Sequence, residues 1–308
     1  MKDLKGYIMV LGAALFWGGS ATAAKFLLNR NVDTVVIVEA RVTFTALLLL
    51  PWLCVVHPSA LRVPFRELWK FLLVGVAGVA GSNFFYYFTI RESTVATGIL
   101  IQYTAPFLVM AYAAWAREER MSAIKVSAAF LSLLGCFLAV GAYGTGVVKV
   151  TRLSLATGLA SAICFAFLNV YTRRLLRQFA FWTVTFYAIA GASLFWLVLR
   201  PPWTLFGPAA PPSPWAGLFV LAVVSILIPH SLYFNGLRFI VPSRAIITST
   251  VEPVFAIGSA AFVLGEMLTS WQVAGAVLVL AAILLLQVRR EPVHPLTHGS
   301  ARAGDAPH

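Results

Sequence analysis

Residues Ser243–Leu264 read SRAIITSTVEPVFAIGSAAFVL. Wound as an α-helix at 1.5 Å per residue, this run is about 33 Å long, which matches the roughly 30 Å hydrocarbon core of a bilayer. Arg244 marks one end, and Glu252 and Pro253 fall near the middle. A carboxylate at that depth costs roughly 2.5–3.5 kcal/mol or more, so it persists only when paired, hydrated or used. Pro253 lacks a backbone donor and tends to kink its helix, exposing carbonyls of the kind that line cavities.

The rest of the chain agrees with a membrane setting. Of 308 residues, 60% are hydrophobic and 11% charged, with a mean hydropathy of +0.87. Soluble domains lie nearer about 45–50% apolar and about 25% charged, so the excess apolar surface must face lipid. The formal charge of +12 comes from 23 Lys and Arg against 11 Asp and Glu. These charges flank long apolar runs, a membrane pattern that excludes nucleic acid as a partner. Cys54, Cys136 and Cys164 lie within apolar runs without paired spacing, so they read as small hydrophobes. No disulfide or metal site is implied.

Ten runs are long enough to cross: Gly6–Leu28, Thr34–Val56, Trp69–Ile90, Thr94–Trp115, Ser122–Gly141, Leu153–Thr172, Phe179–Leu199, Trp215–Leu237, Ser243–Leu264 and Thr269–Gln287. With the N-terminus inside, sixteen basic residues fall on inner segments and five on outer ones. The positive-inside rule then places both termini in the cytoplasm. Ala21-Thr22-Ala23 resembles a signal-cleavage site, but the apolar run continues past it to Leu28, so the first span is expected to be kept. The segment 288–308 reads as a disordered cytoplasmic tail.

A shift of 147 residues superimposes Tyr86 on Tyr233, Arg91 on Arg238, Pro106 on Pro253 and Glu119 on Glu266 without a gap. It also lays the third to fifth spans on the eighth to tenth. The expected architecture is therefore an all-α membrane protein of ten transmembrane helices in two five-helix repeats, residues 6–141 and 153–287. An odd number of crossings per repeat inverts the second copy. Inverted halves with a substrate site near the midplane are the plan of many secondary transporters.

These residues resemble a family. Ala14-Leu15-Phe16-Trp17-Gly18-Gly19-Ser20 followed by Lys25 is similar to the opening of EamA-type repeats in the drug/metabolite transporter superfamily. Arg41 fits the family's arginine in the second span, and Glu252-Pro253 followed by Gly265-Glu266 fits its ninth. The resemblance covers about residues 6–287 and implies a ten-helix exporter or exchanger of small metabolites. Two departures mark the first half: Ala105 replaces the carboxylate of Glu252, and Glu118 replaces Gly265.

Several polar residues are candidates to line a midplane pocket. Glu252 reads either as an anchor for a substrate ammonium or proton, or as a structural partner of a basic or hydroxyl group. On the first hairpin, Glu39 and Arg41 are two residues apart and point to different sides of one helix. The favoured arrangement pairs Lys25 with Glu39 and turns Arg41 to the cavity; the alternative is a structural outer cluster of all three. Asn83 and Tyr86 on the third span align with His230 and Tyr233 on the eighth, joined by Tyr87 and Asn235. Gln102 and Tyr103 precede Pro106, where a kink matching that at Pro253 is expected; Trp17 and Asn169 complete the set. Such residues supply hydrogen-bond donors and aromatic walls; ordinary interhelical contacts would account for any one of them. The turn Arg117-Glu118-Glu119-Arg120 reads as a solvated cytoplasmic turn in which Glu119 could cap the following helix.

No phosphate-binding G-x-x-x-x-G-K-[ST] loop, H-E-x-x-H or G-x-S-x-G motif occurs, so neither a cofactor nor enzyme chemistry is expected. The expected partners are a small-molecule substrate and the bilayer, with protons as the candidate coupling ion and a monomeric or homodimeric state. The expected function is secondary transport, in the export direction, of small metabolites such as amino acids across the cytoplasmic membrane by alternating access. The alternatives are a lipid or lipid-carrier flippase, or an intramembrane enzyme.

Overall fold

The computed structural model describes residues 2–28, 33–119, 121–201, 215–264 and 267–288. Among them there is no strand. This follows from the solvent: in lipid a chain must satisfy its backbone groups internally, and the helix does so within one segment. The tail, residues 289–308, lies outside the described residues.

The first hairpin consists of α1 (Lys2–Leu28) and α2 (Thr34–Val56), the latter capped where the Asp33 carboxylate accepts from Val35 N at 2.8 Å. Short 3₁₀ turns at Pro58–Leu61 and Phe65–Glu67 lead into α3 (Leu68–Leu73), which runs through a π-helical stretch, Val74–Ala80, into α4 (Gly81–Glu92). Next come α5 (Val95–Gln102), α6 (Ala105–Trp115) and α7 (Ala123–Ala139). Thr94 and Ser122 cap α5 and α7 by accepting from Thr97 N at 3.1 Å and Lys125 N at 3.3 Å.

The second set opens with α8 (Arg152–Leu176), fixed by a reciprocal capping box between Thr151 and Ser154. It continues with α9 (Phe181–Leu199) and α10 (Trp215–Ala222), then a second π-helical stretch, Val223–Leu227, and α11 (Ile228–Gly236). It ends with α12 (Pro242–Ser249), α13 (Glu252–Leu264) and α14 (Ser270–Val288).

Seven helical stretches among the described residues are long and apolar enough to cross a membrane: Val35–Val56, Phe65–Glu92, Val95–Trp115, Arg152–Leu176, Phe181–Leu199, Trp215–Gly236 and Ser270–Gln287. The ten expected runs are not all reached by this measure. Ala123–Ala139 is shorter, and the expected ninth span is divided between α12 and α13. Large apolar side chains on the outside, among them Leu47, Trp115, Phe130, Ile163, Val198 and Leu284, are exposed, as lipid-facing residues must be.

Departures from regular helix recur 147 residues apart. The stretch Val223–Leu227 falls on part of Val74–Ala80, and the break at Thr250-Val251 falls on that at Tyr103-Thr104. The breaks replace the kinks expected at the prolines. Pro106 and Pro253 sit in the first turn of the second half-helix, where the missing N–H leaves no helical bond unmade.

Helices α7 and α14 pack backbone to backbone. A Cβ on Gly275 would lie 2.5 Å from Ala139 N and 2.6 Å from Gly135 O. Gly75 touches α9 in the same way, with Ala188 O 2.6 Å from where its Cβ would be.

Substituting Gly275→Val should therefore wedge α7 from α14 at a cost of about 1–3 kcal/mol, the usual range for overpacking. Thermal melting of the purified protein should show a clear fall. Gly19→Ala is the control, because its Cβ would meet nothing within 4 Å; equal melting of the two variants would contradict the packing described.

Candidate functional site

Where α1, α2, α4, α5, α8, α11 and α13 meet they enclose a cavity of about 180 Å³. Nine of the twelve residues expected to line a pocket face it: Trp17, Arg41, Asn83, Tyr86, Tyr87, Gln102, Tyr103, His230 and Glu252. They are joined by Ser20, Ser82, Ile90, Val95, Phe165 and Leu168. The wall is largely aromatic and apolar, with a few convergent polar groups, the usual composition of a small-molecule site.

Glu252 begins α13, directly after the helix break. Tyr103, itself in the matching break, donates its hydroxyl to Glu252 Oε2 at 2.8 Å. The other carboxylate oxygen accepts no hydrogen bond among the described residues. On the opposite side of Glu252 the backbone is tightly backed: a Cβ on Gly18 of α1 would lie 2.6 Å from the Glu252 carbonyl oxygen. Gly18 thus lets α1 pass close enough for Trp17 and Ser20 to reach the cavity.

Arg41 is buried and held on three sides. Its Nε donates to Ser225 Oγ at 2.7 Å, Nη1 to the Tyr87 hydroxyl at 2.6 Å, and Nη2 reaches Ser225 O at 3.4 Å. The guanidinium lies 5.4 Å from the Tyr87 ring centroid, a cation–π distance. Trp17 Nε1 donates to the same Ser225 carbonyl at 3.2 Å. That carbonyl is available because Pro229, four residues on, has no N–H for the ordinary helical bond. Ser225 was not among the residues expected from sequence. The spacing Ser225 to Pro229 in an apolar run is the signal that would have found it.

Three expected lining residues, Tyr233, Asn169 and Asn235, lie elsewhere. Tyr233 is fully buried behind the wall, tilted against Trp17 at 5.2 Å between centroids, with its hydroxyl bonded to Asn169 Oδ1. Asn235 sits at the end of α11 and accepts from Arg238 Nη1 at 3.1 Å. Gln102 and Asn83 line the cavity but spend donors on the protein, on Ser161 Oγ at 2.9 Å and Val79 O at 2.8 Å.

The Lys25 side chain lies outside the described residues. Glu39, the partner expected for it, is fully buried, and neither of its carboxylate oxygens has a hydrogen bond among the described residues. Of Glu39 and Arg41, only Arg41 faces the cavity.

The turn after α6 also differs from expectation. Glu119 is buried, accepting from Lys125 Nζ at 3.0 Å and from both the hydroxyl and N–H of Ser243 at the start of α12. Ser122, not Glu119, caps α7. The turn is charged yet packed, because its partner arrives from a distant part of the chain.

The EamA-like transporter family model matches residues 4–141 and again 152–288. The uncharacterized inner membrane transporter YicL of Salmonella typhimurium is 26% identical, covering 92% of this chain and 95% of its own length. An uncharacterized transporter of Archaeoglobus fulgidus is 26% identical over 90% of this chain and 94% of its own. The aromatic amino acid exporter YddG of Ancylobacter novellus is 27% identical over a shorter stretch, 35% of this chain and 37% of that protein. A solved crystal structure shares the fold, with a TM-score of 0.77, 19% identity, and coverage of 92% of this chain and 96% of the other. With its apolar helices, its two matched segments and its transporter relatives, the chain belongs to the EamA-like transporter family of the drug/metabolite transporter superfamily.

Proposed function

We propose that the chain is a secondary transporter, working as an exporter, of amino acids or closely related small metabolites across the cytoplasmic membrane. One observation carries this reading: Glu252 and Arg41, of opposite charge, face the same small aromatic-walled cavity. The Glu252 oxygen left free by Tyr103 suits a substrate ammonium, and the unspent N–H groups of Arg41 suit a carboxylate. Trp17, Tyr86 and Phe165 offer surface to a flat or apolar side chain. The partial similarity to an aromatic amino acid exporter supports the same substrate class. Glu252 is also the group placed to exchange a proton for the ammonium.

On this reading residues 6–141 and 153–287 are two inverted five-helix halves, both termini are cytoplasmic, and transport proceeds by alternating access. The recurrence of π stretches and breaks at 147 residues supports the repeat. The two ends of the molecule support the alternation. At the cytoplasmic end Glu119, Lys125 and Ser243 form a buried cluster, and Arg173 donates to the carbonyl of Leu237. The positions 147 residues away from Ser243 and Lys125 are Ala96 and Gln272. These line a cavity of about 470 Å³ at the outer end, and Val95 borders both that cavity and the central one. The cluster is therefore the inner closure, and the arrangement is outward-facing.

Two measurements test the proposal. In proteoliposomes loaded with labelled amino acids, Glu252→Gln and Arg41→Gln should each weaken apparent affinity about 10- to 100-fold, the worth of a charge-assisted hydrogen bond of about 1.5–3 kcal/mol. Wild-type affinity in both variants would remove the zwitterion reading. The second test replaces the native cysteines and introduces Glu119→Cys with Ser243→Cys. Oxidation that joins the new thiols should arrest flux and reductant should restore it; undiminished flux in the joined protein would end the inner-closure assignment.

A further inference from the structure

A second cavity, of about 390 Å³, opens on the flank of the bundle between α6 and α8. It is separate from the central cavity and shares no lining residue with it. We propose that this groove binds one anionic phospholipid of the cytoplasmic leaflet, with an acyl chain in its apolar length and the phosphodiester at Arg174. The placement in that leaflet rests on the orientation given above; the binding chemistry does not.

The apolar part is formed by Leu108, Ile163, Ala166 and Phe167, and both Leu108 and Ile163 are exposed on the lipid-facing side. From Ile163 to Arg174 the helix rises about 16 Å, close to the roughly 15 Å of one leaflet's hydrocarbon. The groove therefore begins near the bilayer centre and ends at the interface, as an acyl chain does. Its polar end is built. Tyr112 and Tyr171 flank Arg174, with the guanidinium 5.3 Å from the Tyr112 ring centroid and bonded to its hydroxyl.

Arg174 is held but not used up. Its Nε and Nη2 both reach a single oxygen, Glu118 Oε1, at 2.9 and 2.6 Å, which fixes the guanidinium plane. Nη1 donates to nothing among the described residues, and the side chain is 40% exposed. The surroundings carry surplus positive charge, because Glu118 is met by Arg174 and Glu119 by Lys125, while Arg117 and Arg177 adjoin them in sequence. A basic pocket between helices at the cytoplasmic interface, below which an apolar furrow runs, has the chemistry of an anionic headgroup site.

The test is native mass spectrometry of the purified full chain titrated with phosphatidylglycerol, phosphatidylethanolamine and phosphatidylcholine of identical acyl chains. One phosphatidylglycerol should be retained in preference to the other two. Arg174→Gln should lower its retention about five-fold, the value of one basic residue at an anionic surface. Arg174→Lys, which keeps the charge, should retain the preference and so controls for damage to the Glu118 contact. Ala166→Trp, which fills the furrow and leaves the charge intact, should also release the lipid. Equal retention of the three lipids, or bound phosphatidylglycerol undiminished in Arg174→Gln or Ala166→Trp, would overturn the site. None of these readouts depends on flux, so loss of the lipid site and loss of the transport reading are distinguishable.

Discussion

The arrangement around the cavity depends on one residue that carries no charge. Ser225 presents its hydroxyl to Arg41 Nε, and its carbonyl to both Trp17 Nε1 and Arg41 Nη2. It thereby joins α1, α2 and the α10–α11 span around a single point. The geometry has a covalent origin: Pro229 cannot donate, so the Ser225 carbonyl is left without the ordinary helical bond. A guanidinium in lipid needs such partners to remain charged. Without that carbonyl and hydroxyl, the cation facing Glu252 would lack its support.

The two sequence-related sets of helices share their irregularities but not their chemistry. Position 225 corresponds to Gly78 in the first set and Glu252 to Ala105. The scaffold thus supplies two equivalent breaks, yet only the second holds a carboxylate. The first supplies Tyr103, whose hydroxyl bonds that carboxylate across the cavity. Each break contributes a different half of one hydrogen bond, so neither set of helices forms the site alone. The same divergence separates the ends of the molecule, where Glu119, Lys125 and Ser243 form a buried cluster while Ala96 and Gln272, the counterparts of Ser243 and Lys125, line a cavity.

What the sequence disclosed follows from how local each signal is. Composition and run length are enough to place the chain in lipid, because the solvent alone sets those requirements. Glu252 and Arg41 stand out for the same reason: charge inside an apolar run is rare at any register. The faces of α11 were harder to read. Asn83 and Tyr86 both line the cavity, whereas of their counterparts only His230 does; Tyr233 lies behind the wall, and Asn235 meets Arg238. Glu119 was harder still. Four charged residues in a row read as a solvated turn, and nothing nearby announces that Ser243, more than a hundred positions away, covers it.

The glycine seam between α7 and α14 limits how the molecule can move. At Gly135 and Gly275 the two main chains come close enough that neither position has room for a Cβ. Separation there would forfeit the contact outright, whereas a small swivel keeps it. If one set of helices rocks against the other as proposed, the seam is the natural fulcrum, and the amplitude is greatest at the far side of the bundle.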